Sequence, residues 1–317
     1  ALIIPIHQQT KRSHGLLTMS RWRRLAFRTA TVAVAGGGAG LYMYRQRLKD
    51  NKAVAAEDFN AAQPKELLQA AFKNLKSPTG RIELFRYTTC PYCGKAKAFL
   101  DYFRVPYEAI EVEPMFKSQL APSDYKKLPQ LRFGGDGGVW LVDSDHIVNT
   151  LAPFLGIEKQ LRDPEVERWR NWARETLVRH VTLNINRTLL SAWEGYRYID
   201  SFDTIPLVNK LFLKVVGAPV MYMVAAKKTY PTLVKAGELK DGDDWRSVFH
   251  QQVNHFVDEA LKTQPFHGGR HPDLADLDVY GVLQSIRGHD VYRDMVASTR
   301  IGPWLEKMDA AVAPPSG

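Results

Sequence analysis

The hydrophobic pattern of the chain changes character near residue 160. Before that point, short apolar runs alternate with turn residues, which predicts a parallel βαβ unit followed by a β-hairpin. After residue 163, apolar residues recur with helical spacing, which predicts an all-helical region. The predicted strands are Ile82–Tyr87, Tyr107–Val112, Gln130–Phe133 and Val139–Val142, and the helix that joins the first two is Pro91–Phe103.

The second half of the chain contains five predicted helices. The helix that begins at Pro206 is apolar nearly all round, but Lys210 and Lys214 argue against a membrane span. We therefore expect it to be either a buried core helix or one wall of a hydrophobic substrate pocket. Asp273 and Asp276 have the spacing of a reciprocal amino-terminal cap. The predicted helices are Pro164–Ala192, Pro206–Lys228, Asp244–Thr263, Asp273–Arg287 and Tyr292–Asp309.

Composition and charge separate an amino-terminal arm from a globular body. The 317 residues are 45% hydrophobic and 24% charged, as in a folded protein, and the net charge is +9. Nine of the 43 basic residues lie within residues 1–49, which contain no acidic residue, so the rest of the chain is formally neutral. The body therefore lacks the charge excess of a nucleic-acid-binding surface.

The arm itself has two predicted parts. Residues 1–24 are basic and free of acid, which resembles an organellar targeting sequence and predicts a mitochondrial address. Residues 25–44 have the length and composition of a single transmembrane anchor, with an uncleaved or amphipathic targeting segment as the alternative. Residues 45–80 are predicted to form a linker with one helix, Pro64–Lys76. Two folded domains then follow, at 81–156 and 163–310.

Both cysteines of the chain lie in one segment, Cys90-Pro91-Tyr92-Cys93, between a predicted strand and a predicted helix. A thiol at the start of a helix faces unpaired N–H groups and the positive end of the helix dipole, which favour the thiolate. Cys90 is therefore a candidate nucleophile and Cys93 a candidate resolving thiol.

The main alternative for a C-x-x-C segment is half of a zinc site. That site needs a second pair of ligands, and no further cysteine is present. His250 and His255 are five residues apart and fit no ligand spacing, and His267 and His271 have the pattern of loop residues. We predict no metal site, and two cysteines exclude a disulfide scaffold.

The order of motifs resembles a thioredoxin-fold unit of the glutaredoxin and glutathione-transferase kind. It consists of a strand, the Cys90–Cys93 segment, a helix, a strand, Leu128-Pro129, a hairpin and Asp143-Ser144 at a helix start. This resemblance implies an α/β thioredoxin-like domain followed by an all-α glutathione-transferase-like domain. It also implies a cis proline at Pro129 that exposes the backbone of Leu128 to a glutathione molecule.

Further blocks resemble the type 2 membrane-associated prostaglandin E synthase family, from about residue 81 to about residue 305. They include Phe85–Cys93, Trp169–Ala173, Ala218–Tyr222, Pro265–Gly269 and Leu274–Leu283. The resemblance implies isomerisation of the lipid endoperoxide prostaglandin H2 to prostaglandin E2, a membrane association and a homodimer. It further implies that haem can bind with glutathione as an axial ligand.

The same resemblance assigns roles to individual residues. Cys90 is expected to be the catalytic thiol, with Cys93 beside it and Tyr87 as the hydroxyl that orients it. The expected glutathione contacts are Pro91, Tyr92, Leu128, Pro129, Asp143 and Ser144. Asp145 stands where the family tends to have a serine, so we expect an added negative charge that weakens glutathione binding. The segment between Gly156 and Asp163 is also shorter than usual in the family.

Three functions from different classes are compatible with this sequence. The first is a membrane-anchored, glutathione-dependent isomerase of the prostaglandin E synthase kind. The second is a glutaredoxin-like or transferase-like thiol enzyme that acts on another substrate. The third is a non-catalytic assembly subunit of a complex in the mitochondrial inner membrane that retains the fold. Fold alone does not separate these functions.

Overall fold

The strands predicted around the cysteines form a mixed β-sheet in the computed structural model of the chain. The structure describes residues 54–78, 80–114, 117–203 and 205–313, together with Tyr42, Gln46 and Lys49. The predicted arm at 1–24 lies outside the described residues, and so does the predicted anchor at 25–44 except for Tyr42. Within the described part, the strands are β1 Ile82–Arg86, β2 Glu108–Glu111, β3 Gln130–Phe133 and β4 Val139–Val142.

The sheet order is β2-β1-β3-β4. Strand β1 runs parallel to β2 and antiparallel to β3, and β3 runs antiparallel to β4. The helix α3, Pro91–Tyr102, connects β1 to β2, as the predicted βαβ unit requires. The glycine-rich turn after Phe133 closes the predicted hairpin, because Phe133 pairs with Val139.

Two short helices precede the sheet, α1 Ala56–Ala61 and α2 Lys65–Lys73. The Asn60 amide of α1 donates to the Val142 carbonyl at 2.9 Å and accepts from the Val142 N–H at 2.9 Å. These bonds satisfy part of the backbone of the edge strand β4. Leu68 and Phe72 of α2 are buried in the main core. The helix predicted at Pro64–Lys76 is therefore present as α2 and packs against the folded body, and the linker bounds of 45–80 stay a prediction.

The helical region follows α4, Ser144–Leu151. Within the described residues, four π-helical segments extend or join its α-helices. Because π-helical segments continue the neighbouring α-helices, Pro164–Ile185 and Leu207–Lys235 are each continuous. The α-helices are α5 Pro164–Trp172, α6 Val178–Ile185, α7 Leu189–Glu194, α8 Leu207–Phe212, α9 Ala218–Val224, α10 Tyr230–Lys235, α11 Trp245–His255, α12 Leu274–Gln284, α13 Asp290–Ser298 and α14 Gly302–Val312.

The helix α12 joins the two halves of the core. It is buried along nearly its whole length and packs against α3. The two helices cross at Gly94 and Gly281, where a Cβ added to Gly281 would lie 2.4 Å from the Gly94 carbonyl oxygen. Only glycine permits two helix backbones to come this close. The predicted reciprocal cap is present, because Asp273 and Asp276 each accept from the other's backbone N–H.

The predicted fold class is confirmed for a thioredoxin-like α/β unit followed by a helical region. Several boundaries differ, since the helix predicted for 164–192 breaks after Ile185 and the last predicted helix is two helices, α13 and α14. The boundary between the two predicted domains stays a prediction, because residues 53–317 form one compact unit.

The prediction that the helix beginning at Pro206 lies in the core is wrong. Leu207 is 80% exposed, Val208 is 78% exposed and Leu211 is 61% exposed. Within the described residues, Leu207–Lys235 is the helix whose length and composition would permit it to cross a membrane. The alternative that this helix lines a substrate pocket stays a prediction.

Candidate active site

The register of the sheet gathers the predicted site residues at one end. Phe85 of β1 pairs with Gln130 of β3, and Gln130 pairs with Val142 of β4. The segment after β1, the segment before β3 and the segment after β4 therefore emerge together. These segments contain the predicted site positions Tyr87, Cys90, Leu128, Pro129, Asp143 and Ser144.

Cys90 is the amino-terminal cap residue of α3, and Pro91 occupies the first turn. Proline suits this position because its missing N–H would have no partner there. The Gly94 N–H donates to the Cys90 carbonyl at 2.9 Å, which begins the helix. Cys90 is half-buried, whereas Cys93 is 1% exposed. The two thiols thus occupy different environments one helical turn apart.

The first turn of α3 lowers the pKa of Cys90. The chief cause is a hydrogen bond that the Cys93 thiol donates to the Cys90 sulfur, and the backbone N–H groups of Cys93 and Tyr92 add to it against the opposing effect of burial. Burial, followed by the hydrogen bond with Cys90, raises the pKa of Cys93 well above its usual value. The directions of these two pKa shifts favour Cys90 over Cys93 as the thiolate, and the role of Cys90 as the nucleophile stays a prediction.

Tyr87 contacts the cysteine segment through its backbone. Its carbonyl accepts a hydrogen bond from the Cys90 N–H at 3.2 Å, and its N–H donates to the Cys93 sulfur. Both contacts fix the turn between β1 and α3. The expected role of the Tyr87 hydroxyl in orienting Cys90 stays a prediction.

The predicted glutathione contacts lie in the cysteine turn and in the segments before β3 and after β4. The Leu128-Pro129 peptide bond is cis. The Pro129 carbonyl accepts from the Asp143 N–H at 3.3 Å, which ties the proline turn to the start of α4. Asp143 caps that helix by accepting from the N–H groups of Asp145 and His146. Ser144 is buried, and Tyr92 is 39% exposed at the surface.

The negative charge expected from Asp145 is compensated in the structure. Its carboxylate pairs with the ammonium group of Lys95 and, at 2.9 Å, with the guanidinium group of Arg174. Burial opposes ionisation of Asp145, but the charge of Lys95 and the hydrogen bonds from Lys95 and Arg174 outweigh it and lower the pKa of Asp145. Lys95 and Arg174 therefore balance the added charge of Asp145, and its expected effect on glutathione binding stays a prediction.

Lys95 is the centre of a buried charge network that the sequence did not reveal. Its side chain is completely buried and lies 3.2 Å from Asp278 of α12, which also pairs with Arg170 of α5 at 3.1 Å. Burial would lower the pKa of Lys95, but Asp278 and Asp145 together raise it. The network thus fixes α3, α4, α5 and α12 relative to one another around the site.

Two further residues adjoin the cysteine turn and were missed by sequence reasoning. Glu111, at the end of β2, accepts from the Thr88 N–H at 2.7 Å and from the Thr88 hydroxyl at 3.0 Å. Burial raises the pKa of Glu111. Tyr198, in the helical region, forms a side-chain hydrogen bond with Thr89. Burial raises the pKa of Tyr198 well above the usual value. No sequence spacing connects Tyr198 with the cysteines, so only the tertiary fold identifies it.

A cavity of about 890 Å³ lies along α3. It is lined by Tyr87 and Thr88 and by residues of α3, α12 and α14, but by neither cysteine. Its acidic groups have partners, since Asp309 pairs with Arg287 at 2.8 Å and Asp101 accepts from the Tyr107 hydroxyl at 2.7 Å. Tyr87 therefore adjoins both this cavity and the cysteine turn.

The segment that contains the sheet and the cysteine turn is similar to known proteins. Residues 82–137, which include the cysteine turn and the proline turn, match the family model described as Glutaredoxin. Glutaredoxin 2 from Salmonella typhimurium, solved in complex with glutathione, is 14% identical with a TM-score of 0.47 and covers 74% of this chain and 95% of its own. The matched segment of the chain is thus similar to glutaredoxins.

Two curated relatives resemble nearly the whole body. The chain is 29% identical to "Prostaglandin E synthase 2" of Mus musculus over 332 residues, which covers 89% of this chain and 81% of the relative. It is 28% identical to "Prostaglandin E synthase 2" of Danio rerio over 276 residues, with 73% of this chain and 71% of the relative covered. The resemblance predicted from the sequence is confirmed.

Proposed function

We propose that this chain is a glutathione-dependent thiol enzyme in which the Cys90 thiolate is the reacting group. The observation that carries the proposal is the position of Cys90 at the start of α3, at the end of the sheet where the cis Leu128-Pro129 bond and the Asp143-Ser144 segment also lie. The Cys93 thiol and the backbone N–H groups there lower the pKa of Cys90. An ionised sulfur beside exposed backbone groups suits a peptide-like thiol cofactor. In this proposal, the Leu128 backbone would pair with the cysteinyl part of glutathione, and Asp143 and Ser144 would bind its γ-glutamyl end.

The proposed reaction is isomerisation of a lipid endoperoxide to a hydroxy ketone, as in prostaglandin H2 to prostaglandin E2. This proposed reaction rests on the similarity to the mouse and zebrafish proteins called "Prostaglandin E synthase 2". The Cys90 thiolate attacks one peroxide oxygen, so that an S–O bond forms and the O–O bond breaks. The other oxygen leaves as an alkoxide and takes the thiol proton of the bound glutathione. The glutathione thiolate then removes the C–H proton beside the sulfur-bound oxygen, the C=O bond forms, and the S–O electrons return to the Cys90 sulfur, so that both thiols are restored.

The environment of Cys93 favours chemistry at a single thiol. A resolving cysteine must reach a mixed disulfide as a thiolate, but Cys93 is buried and its pKa is well above the usual value. In the proposed isomerisation, Cys93 only donates a hydrogen bond to Cys90. The second candidate function is glutaredoxin-like exchange through Cys90 alone. The Cys90 thiolate would take the glutathionyl group from a mixed disulfide, the substrate thiol would leave, and a second reduced glutathione would release oxidised glutathione and restore Cys90.

The remaining expectations belong to the same proposal. The homodimer, the larger membrane complex and the mitochondrial inner-membrane location rest on the resemblance and on the basic arm at 1–24. Haem binding rests on the resemblance alone, and no step of the proposed reaction uses it. The assembly-subunit alternative would keep the fold without turnover.

One assay separates these functions. The full chain is incubated with prostaglandin H2 and reduced glutathione, and prostaglandin E2 is quantified by mass spectrometry against an enzyme-free control. We expect formation that requires glutathione and is lost in Cys90→Ser but kept in Cys93→Ser, because serine can still donate to Cys90. Reduction of a glutathione mixed disulfide without prostaglandin formation would support the exchange enzyme instead. Absence of both activities, with no glutathione binding by calorimetry, would support the assembly subunit.

A further inference from the structure

The helix Leu207–Lys235 presents an apolar stripe to solvent. Its π-helical segments, Leu213–Gly217 and Ala225–Thr229, widen the helical turn, so positions four apart stay aligned. The opposite face packs into the body through residues that include Leu213, Ala218 and Ala225. The exposed members of the stripe are Leu207 at 80%, Val208 at 78%, Leu211 at 61%, Val215 at 53% and Met223 at 52%, with Pro219 also exposed.

A neighbouring helix adds to this surface. Helix α7 packs against α9, and it exposes two leucines and a tryptophan. Large exposed apolar surfaces on folded proteins mark contacts with a partner or a membrane. Tryptophan is common where one end of a side chain meets hydrocarbon and the other meets water. The exposed side chains of α7 are Leu189, Leu190 and Trp193.

The charge of the helix Leu207–Lys235 helps to decide whether a bilayer or a second copy of the chain covers its exposed face. Residues 207–235 contain five lysines and no acidic residue. Lys214 pairs with Asp200 at 2.5 Å. Lys227, Lys228 and Lys235 form no ion pair within the described part of the chain, and the first two follow the apolar stripe directly. An apolar stripe beside unpaired lysines is complementary to anionic lipid headgroups above hydrocarbon.

We propose that the exposed face of Leu207–Lys235, together with α7, lies on the surface of a bilayer that contains anionic lipid. The helix would lie in the plane of the interface, because its other face is packed against the body and would lose that packing if it crossed the membrane. A second copy fits less well, since a two-fold interface would place this acid-free helix against itself. The proposal does not rest on the chemistry of Cys90.

The test uses the full chain with Cys90 and Cys93 replaced by serine and one probe position introduced at a time. An environment-sensitive fluorophore is attached at Val215→Cys or, as the matched control, at Leu67→Cys. Leu67 lies on α2 and, like Val215, is an apolar residue that is largely exposed, at 58%. The chain is mixed with phosphatidylcholine vesicles that carry brominated lipid, with or without phosphatidylglycerol. We expect the Val215 probe to be quenched on the anionic vesicles and the Leu67 probe to stay unquenched.

Charge variants test the lysines in the same assay. Lys227→Gln with Lys228→Gln should lower the apparent affinity for anionic vesicles about fivefold per lysine. The reason is that each lysine near an anionic surface contributes about 1 kcal/mol of binding free energy, which corresponds to that factor. Lys73→Gln with Lys76→Gln, an exposed pair elsewhere, should have no such effect. A bound chain whose Val215 probe remains unquenched would overturn the proposal. A dimer seen by sedimentation without lipid, in which the fluorescence of the Val215 probe reports burial, would overturn the proposal in favour of a second copy.

Discussion

Two regions of the molecule are rich in small and apolar residues: the interface between α3 and α12, and the helix Leu207–Lys235. The first is buried and the second is largely exposed to solvent. The first contains two glycine backbones in contact and a completely buried lysine. The second leaves leucine and valine side chains largely exposed. Apolar character therefore did not decide burial in this protein. Burial depended on whether a complementary surface existed in the same chain.

The largest expected effect tests the glycine crossing. In Gly281→Val, the new Cβ would lie 2.5 Å from the Gly94 carbonyl carbon and 2.6 Å from the Lys95 Cα, so the helices must separate. We expect the free energy of unfolding to fall by at least about 4 kcal/mol, measured by urea denaturation and circular dichroism. The control is Gly288→Ala, where the added Cβ meets open space. Equal stability of the two variants would show that the crossing is not tightly packed.

The next effect concerns the buried charges of the same interface. Lys95→Met keeps the approximate length of the side chain but leaves Asp145 and Asp278 without their ammonium partner. We expect a loss of about 3 kcal/mol in the free energy of unfolding. Lys97→Met, on the same helix but exposed, removes an ion pair with Asp101 and should cost less than about 1 kcal/mol. A small loss in Lys95→Met would mean that the carboxylates find other partners.

The stability difference between the native chain and Lys95→Met should depend on pH, and its direction follows from the lowered pKa of Asp145. The folded-state pKa of Asp145 lies below its unfolded value, so its ion pairs stabilise the fold above that unfolded value and are lost as pH falls through the folded one. The stability gap between the native chain and Lys95→Met should therefore be constant near neutral pH and should shrink below about pH 4. Denaturation at a series of pH values measures this gap. A gap that grows in acid would contradict the assignment.

A smaller effect is expected at the reactive end of α3. Cys93→Ala removes the hydrogen bond that chiefly lowers the pKa of Cys90, whereas Cys93→Ser retains a donor. The rate of alkylation of Cys90 by iodoacetamide, followed against pH, should shift to higher pH in the alanine variant and remain nearly unchanged in the serine variant. Identical profiles would assign the lowered pKa to the backbone N–H groups instead.

The smallest effect is expected on the exposed helix. Leu211→Ser removes an apolar side chain that makes little contact with the body, so the free energy of unfolding should change by no more than about 0.5 kcal/mol. Leu277→Ser, on the buried helix α12, should cost several times as much. Thermal denaturation of both variants in the absence of lipid gives the comparison. A large loss in Leu211→Ser would indicate that the stripe is covered in solution.

The sequence predicted the elements that local chemistry defines. Strands β3 and β4 have the predicted bounds, Cys90 lies at the predicted helix start, and Asp273 caps α12 as its spacing indicated. Each of these features depends on a few neighbouring residues, such as a proline in a first turn or a carboxylate three positions from its partner. Such signals are complete within a short window of sequence.

Other features depended on residues that are distant in sequence. Strand register brought Pro129 and Asp143 to the cysteine turn, and the packing of α12 gave Lys95 a second carboxylate, Asp278. Tertiary structure also decided that Asp145 is neutralised and that Leu211 is exposed. The physical reason is common to all of them. Desolvation, ion pairing and burial depend on which surfaces meet, and hydrophobic periodicity shows only that a surface is available to be covered.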